Sequence, residues 1–316
     1  MRLAGRLGGA ALSLVMVAVL GFFLFRVLPG DPVVSMTRGR PTTAAAQARL
    51  RAQFGLDRPL HEQFWDYVTA LARGDLGTSF TFRRPVAEVI LERLGPTVLL
   101  VGTATLVAVV AGLWLGARAG WRRGSVFDRV TTGVSLTLWA VPTFWLGMLL
   151  TMATGELFPS RGMRDTDTAP DFVSQSLDVA HHLVLPSVTL VAVVCAEYVL
   201  VMRSSVLAEA GAAYLVTARA KGLRDDLVRR RHAVPNAVLP AVTLVFLRFG
   251  LVVGGAITTE TVFSWPGLGL LFHDALTGPD YFLLQGLLVV TAGAVVVMNL
   301  LADLLHGLLD PRVEAG

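Results

Sequence analysis

Few residues in this sequence are placed to do chemistry, and the exceptions are informative. Lys221 is the lone lysine among 27 basic residues, and it follows Ala220 and precedes Gly222. A phosphate-cradling loop needs Gly before its lysine and Ser or Thr after it, so the chain cannot bind ATP in that way by itself. His61-Glu62 is followed by Trp65 where a helical zinc protease needs a second histidine. His181-His182 lies at a membrane boundary without a neighbouring Cys or His and reads as an interfacial pair rather than a metal site. No catalytic constellation, cofactor site or metal site is expected, and the chain is not expected to be an enzyme.

Two ionisable residues stand inside otherwise apolar stretches. A charge in hydrocarbon costs at least about 2.5 to 3.5 kcal/mol, so Glu197 and Arg248 are candidates for function. They are expected at comparable depth on consecutive helices, where they would form an ion pair that is either functional or purely structural. Asn299, Asp303 and His306 recur at helical spacing and form a polar seam that serves either as a gate or as packing.

The elements that hold these residues follow from composition. With 54% hydrophobic and only 16% charged residues, and a mean hydropathy of +0.63, the chain is too apolar for a soluble domain. Six apolar blocks are long enough to cross a bilayer core of about 30 Å, which takes about 20 helical residues. They are Leu7 to Phe25, Gly95 to Ala117, Val130 to Gly155, Leu183 to Met202, Ala233 to Thr259 and Tyr281 to Ala302. The first begins after Arg2 and Arg6 like a signal peptide. It is longer than the usual hydrophobic region of about 7 to 15 residues, and no small-residue cleavage site follows. An all-α polytopic membrane protein with about six transmembrane helices is therefore expected.

Orientation follows from basic residues in short loops, which stay on the cytoplasmic side. The loops after the second and fourth blocks carry eleven, among them Arg118, Arg122, Arg203, Arg219 and Arg229 to Arg231; those after the third and fifth hold only Arg161 and Arg164. Both termini are expected in the cytoplasm. The same clustering explains the pI of about 9.8 and net charge of +4 without a nucleic-acid partner. Cys195 is the single cysteine, so no internal disulfide forms. Small-residue faces at Gly112 and Gly116, and at Gly250, Gly254 and Gly255, suit close helix packing. The external stretch His61 to Leu71 is amphipathic, with Phe64, Tyr67, Val68 and Leu71 along one face. It is expected to form a helical cap that meets another protein or covers the bundle.

The longest segment after the fourth block reads Ala213-Tyr214-Leu215-Val216-Thr217-Ala218-Arg219-Ala220-Lys221-Gly222, then nine residues, then His232-Ala233-Val234-Pro235. A short helix stopped by glycine and rich in small residues and Arg suits a groove on another protein. It resembles the coupling motif of ABC importer permeases, in the Thr-Ala-Arg-Ala-Lys-Gly form of the dipeptide, oligopeptide and nickel family. The resemblance runs along nearly the whole chain. Its segments include Leu28-Pro29-Gly30-Asp31-Pro32, Gly55-Leu56-Asp57-Arg58-Pro59-Leu60, Gly74-Asp75-Leu76-Gly77-Thr78-Ser79 and Arg84-Pro85-Val86. Further matches are Pro142-Thr143-Phe144-Trp145-Leu146-Gly147, Thr259 to Gly269 and Leu309-Asp310-Pro311-Arg312. At Ala213 the chain departs from the acidic residue the family often carries, so that contact is missing or moved to Glu209.

The resemblance implies a type I ABC importer permease fold with an external segment between helices 1 and 2. Its parts would be residues 1–28, the terminus and first helix; 29–94, external; 95–310, the permease domain with coupling segment 208–235; and 311–316, a cytoplasmic tail. It implies the bacterial cytoplasmic membrane, a setting that the arginine-heavy composition of a GC-rich genome suits. It implies import of di- or oligopeptides, with nickel chelates, glutathione or another small solute as the alternative cargo. The implied partners are a second, related permease, two ATP-binding subunits that hold the ATP and magnesium, and an extracytoplasmic binding protein. Tyr214, Thr217, Ala218, Arg219, Ala220, Lys221 and Gly222 would be the ATPase-coupling residues. An ion-driven secondary transporter would instead show inverted repeats and broken helices, which the sequence does not display. The His and Ser/Gly arrangements of an intramembrane hydrolase are missing.

Overall fold

The computed structural model describes residues 2–27, 43–53, 55–239, 241–242, 244–245 and 256–309. Apart from one isolated bridge between Thr78 and Pro85, the described residues form helices, turns and loops. They divide into two units: a terminal one, built from the chain up to Thr97 and from Pro266 onward, and a central one that begins at Val98 and includes Thr258–Trp265.

In the terminal unit, α1 (Arg2–Val27) packs along the last helix, α13 (Tyr281–Leu309). Gly21 permits the approach, since a Cβ there would lie 3.1 Å from Leu288 Cδ2. Helix α2 (Ala44–Gln53) is followed by α3 (Leu60–Ala72), which lies on α1. The seam is aromatic: the buried Phe22 ring sits 5.2 Å from Phe64 and 5.6 Å from Tyr67, the face read from the sequence as the underside of an external cap. The first turns of α4 (Val86–Trp121) share a core with α12 (Leu268–Thr277) and α13 through Val86, Ile90, Leu271 and Leu283.

The loop before α4 is held by one carboxylate. Asp280, fully buried, accepts hydrogen bonds from Ser79 Oγ (2.6 Å), Thr81 N (3.0 Å) and Leu283 N (3.2 Å). It thereby caps α13 and ties the loop to it. Gly77 has φ of +82°, and a Cβ there would lie 2.9 Å from Phe282 Cδ1, so this turn of the Gly-Asp-Leu-Gly segment requires glycine.

The central unit is organised around α7 (Phe172–Glu209), against which α5 (Val126–Ala140) and α6 (Thr143–Thr154) pack. The rest of α4 meets it through small residues at four-residue spacing. Cβ atoms at Gly112, Gly116 and Gly120 would lie 2.5 Å from Tyr198 Cβ, 2.5 Å from Val199 O and 2.7 Å from Arg203 O. The expected small-residue face is thus a backbone contact and one turn longer than Gly112 and Gly116 alone.

Among the described residues, four helices are long and apolar enough to cross a membrane: Gly5–Phe25, Val86–Trp121, Phe172–Glu209 and Tyr281–Leu301. The third apolar block departs from expectation. It is not one helix but two, α5 and α6, bent by 105°. Pro142 is the cause: a residue before proline is pushed out of the helical region, and Val141 is extended at φ −81°, ψ 127°. Counting the bent pair as one span gives up to five. Of the fifth block, Ala233 to Thr259, residues 240, 243 and 246–255 lie outside the described residues, and with them Arg248, Gly250, Gly254 and Gly255.

Candidate functional site

Helix α7 ends at Glu209, and the chain turns directly into α8 (Ala213–Ala220). A glycine with φ of +80°, Gly222, follows, in the left-handed region where no other residue is at ease. Then come α9 (Asp225–Val228), a π-helical turn (Arg229–Ala233) and α10 (Val234–Ala237).

Two side chains of α8, Leu215 and Ala218, face inward. They share a small core with Val228 and Ala233, flanked by Trp121 at the end of α4. Polar contacts lock the arrangement: Trp121 Nε1 donates to Asp225 Oδ2 (2.6 Å), Arg219 Nε donates to Asp225 Oδ1 (3.4 Å), and the Arg219 guanidinium lies 5.4 Å from the Trp121 ring. The Tyr214 hydroxyl donates to Glu209 and accepts from Asn236 Nδ2 (3.1 Å). Burial, and then the Glu209 carboxylate, push that hydroxyl above the ordinary phenol range. Glu209, the alternative to the acidic residue absent at Ala213, therefore stands beside Tyr214.

What remains outward is Tyr214, Val216, Thr217, Arg219, Ala220 and Lys221, with Gly222 at the end. Six of the seven expected coupling residues are on this exposed face; Ala218 instead anchors it. The surface combines two cations with small and aliphatic side chains, and it holds no nucleophile, base or phosphate-binding loop. It can bind another protein and transmit displacement, because α7 and α8 are separated by only a short turn.

The other expected sites are less complete. Glu197 is half-buried on α7 and engaged in an interaction, but its expected partner, Arg248, is outside the described residues. Asn299 is half-buried on α13, and its Oδ1 is buried without a hydrogen-bond partner among the described residues. Asp303 and His306 follow on the same helix, though their side chains are outside the described set.

His182 is not as isolated as its sequence surroundings suggest. The fold brings Asp165 and Asp178 to it, with one ligand-type atom from each of the three within 4.8 Å of the others. Asp178 already accepts from Thr168 Oγ1 (2.7 Å) and Asp165 N (2.9 Å), so the cluster fastens the loop before α7 to that helix.

Three buried acids escaped the sequence reading. Asp128 forms a two-point ion pair with Arg203, Nε to Oδ1 at 2.5 Å and Nη2 to Oδ2 at 3.1 Å. Asp280 ties the loop before α4, and Glu260 is fully buried within the Thr259 to Gly269 segment. For Asp128, Gly124-Ser125-x-x-Asp128 was a readable helix start, since Ser125 Oγ accepts from Asp128 N (3.1 Å) and Asp128 Oδ2 accepts from Gly124 N (2.9 Å). Nothing in that pattern pointed to Arg203.

Comparison with known proteins agrees with these elements. Residues 108–315 match the model for "Binding-protein-dependent transport system inner membrane component", and residues 2–101 match the model for the N-terminal part of such components. The chain is 36% identical to the dipeptide transport system permease protein of Escherichia coli K12, covering 98% of this chain and 97% of that one. It is 36% identical to the di/tripeptide transport system permease protein of Pseudomonas aeruginosa, with 99% and 98% covered. Identity to the glutathione transport system permease protein of Salmonella choleraesuis is 38%, with 98% and 97% covered.

Proposed function

Since the chain belongs to the family of binding-protein-dependent transport system inner membrane components, we propose that it is one permease half of an ATP-driven importer of dipeptides and short oligopeptides. The observation that carries the mechanism is the exposed face of α8, fixed from beneath by Leu215 and Ala218.

In this reading the chain performs no bond chemistry. A partner ATPase subunit binds ATP and magnesium, closes on nucleotide, and pushes on Tyr214, Thr217, Arg219, Ala220 and Lys221. Gly222 lets the chain turn back, and the short link to α7 passes the movement into the membrane. A second, homologous permease completes the pathway and docks on a second ATPase subunit, while an extracytoplasmic binding protein delivers the cargo. Eleven basic residues against two in the short loops support cytoplasmic termini and a cytoplasmic α8, in a bacterial inner membrane. Glu197 and Asn299, with Arg248 and Asp303, are the polar groups we assign to the path. The α3 cap over Phe22 suits contact with the binding protein.

Glutathione is the second reading for cargo, favoured by the 38% identity to a glutathione permease. The test is reconstitution with the partner permease, ATPases and binding protein, with uptake of labelled dipeptide and glutathione measured beside ATP hydrolysis. Arg219→Glu and Gly222→Pro are expected to abolish peptide-stimulated hydrolysis. Uptake by this chain alone, indifferent to ATP, overturns the reading; uptake of glutathione but not dipeptide decides for the second cargo.

A further inference from the structure

A second concave site lies in the central unit, away from the exposed face of α8. It is a cavity of about 400 Å³ whose lining includes Trp114 and Arg118 of α4, Arg229 and Arg230 of the π-helical turn, and Val234 and Val238. Three of the lining residues are cations, and the remaining ones are apolar. None of the three arginines has a carboxylate partner among the described residues. Arg118 makes the point sharply: its Nε is buried without a hydrogen-bond acceptor among the described residues, while its guanidinium lies 5.7 Å from the Trp114 ring and 5.3 Å from the Phe127 ring. A buried cationic donor left without an acceptor is costly, and that cost disappears if an anion enters.

The position says which anion. The cavity is at the basic end of a membrane-crossing helix, and Trp114, 60% exposed, has the amphipathic ring found at the boundary between hydrocarbon and headgroups. An occupant must offer acceptor oxygens to planar guanidinium forks and an apolar body to valines and tryptophan. Basic pockets between transmembrane helices recognise phospholipid headgroups in this way. We propose that this cavity binds an anionic glycerophospholipid, its phosphate held by Arg118, Arg229 and Arg230 and an acyl chain laid along Trp114, Val234 and Val238. The site goes beyond the transport reading and needs only that the chain spans a bilayer. Because Arg229 opens the turn that follows the α8 segment, the lipid also bears on how firmly that segment is seated.

The test uses the assembled transporter in nanodiscs and in detergent. Retained lipid is measured by native mass spectrometry, with phosphatidylglycerol, phosphatidylcholine and glycerol 3-phosphate as probes. Wild type is expected to retain phosphatidylglycerol over phosphatidylcholine, and the preference to fall about five-fold for each arginine in Arg118→Gln and Arg229→Gln. A paired Arg118→Lys, Arg229→Lys variant keeps the charge and is expected to keep most of the preference, which separates lost recognition from lost folding. Equal retention of both lipids, or a preference unchanged in the Gln variants, overturns the proposal. So does displacement by glycerol 3-phosphate, which identifies a free-anion site, or release of the ATPase from the Gln variants at equal lipid content, which identifies a protein contact.

Discussion

Asp128 is nearly sealed from solvent, and Arg203 meets it with two nitrogens of one guanidinium. Breaking such a pair from one side strands a buried charge. Arg203→Ala is therefore expected to destabilise the protein by about 3 kcal/mol. Arg203→Lys should recover only part of that, because an ammonium cannot make the two-point contact. Thermal unfolding of the purified complex measures both, and an Asp128→Asn, Arg203→Ala double variant that is no more stable than Arg203→Ala alone would show that the stranded carboxylate is not the cause. Asp128 escaped the sequence reading although its helix-start role, in Gly124-Ser125-x-x-Asp128, is local and was readable. Its partner, 75 residues away, was counted only as a loop cation, since a charge tally along the chain carries no information about pairing through space.

Among the elements, the contact between α4 and α7 is set by what glycine lacks. A Cβ at Gly116 would lie 2.5 Å from Val199 O, with backbone on the far side and no flexible side-chain end to move. Gly116→Ala is expected to cost about 1 to 3 kcal/mol through overpacking. Gly102, on the same helix, has nothing within 4 Å of its missing Cβ. There the same substitution is expected to be neutral or to stabilise by up to about 1 kcal/mol, the helix propensity difference. Unfolding midpoints of the two variants check the pair, and equal effects would refute the close-approach account. Four-residue glycine spacing was legible beforehand, because small residues on one helical face have few other uses in lipid. The 105° break at Pro142 was not, because an apolar run reports solubility in hydrocarbon and not direction. The polar first turns of α7, Phe172 to His182, were likewise missed by a search for apolar blocks, although Asp171 starts the helix by accepting from Ser174 N (2.9 Å).

For the whole molecule, the proposed function requires that force applied at α8 reach the membrane helices. Trp121 joins the two, as it ends α4, donates to Asp225 and stacks with Arg219. Trp121→Ala alters none of the expected contact residues, yet it is expected to raise the ATP hydrolysed per peptide imported several-fold in liposomes, because a loosened base yields under load. An unchanged ratio would assign Trp121 to packing alone. The family was legible from end to end, since several motif residues are those whose geometry their neighbours impose: Gly222 by its backbone angle, Gly77 by its contact with Phe282, the Thr78-Ser79 loop by its hydrogen bonds to Asp280. The interior pathway was not, because any polar residue in a span looks alike until its neighbours are known. Lys221, exposed at the end of α8, is the chain's lone lysine. Amine-directed labelling can therefore reach only this side chain and the α-amino group, so nature has supplied a single-site reporter in the contact face. A fluorophore placed there without any mutation should be shielded when the ATPase docks and uncovered when it leaves, turning assembly of the transporter into an optical signal.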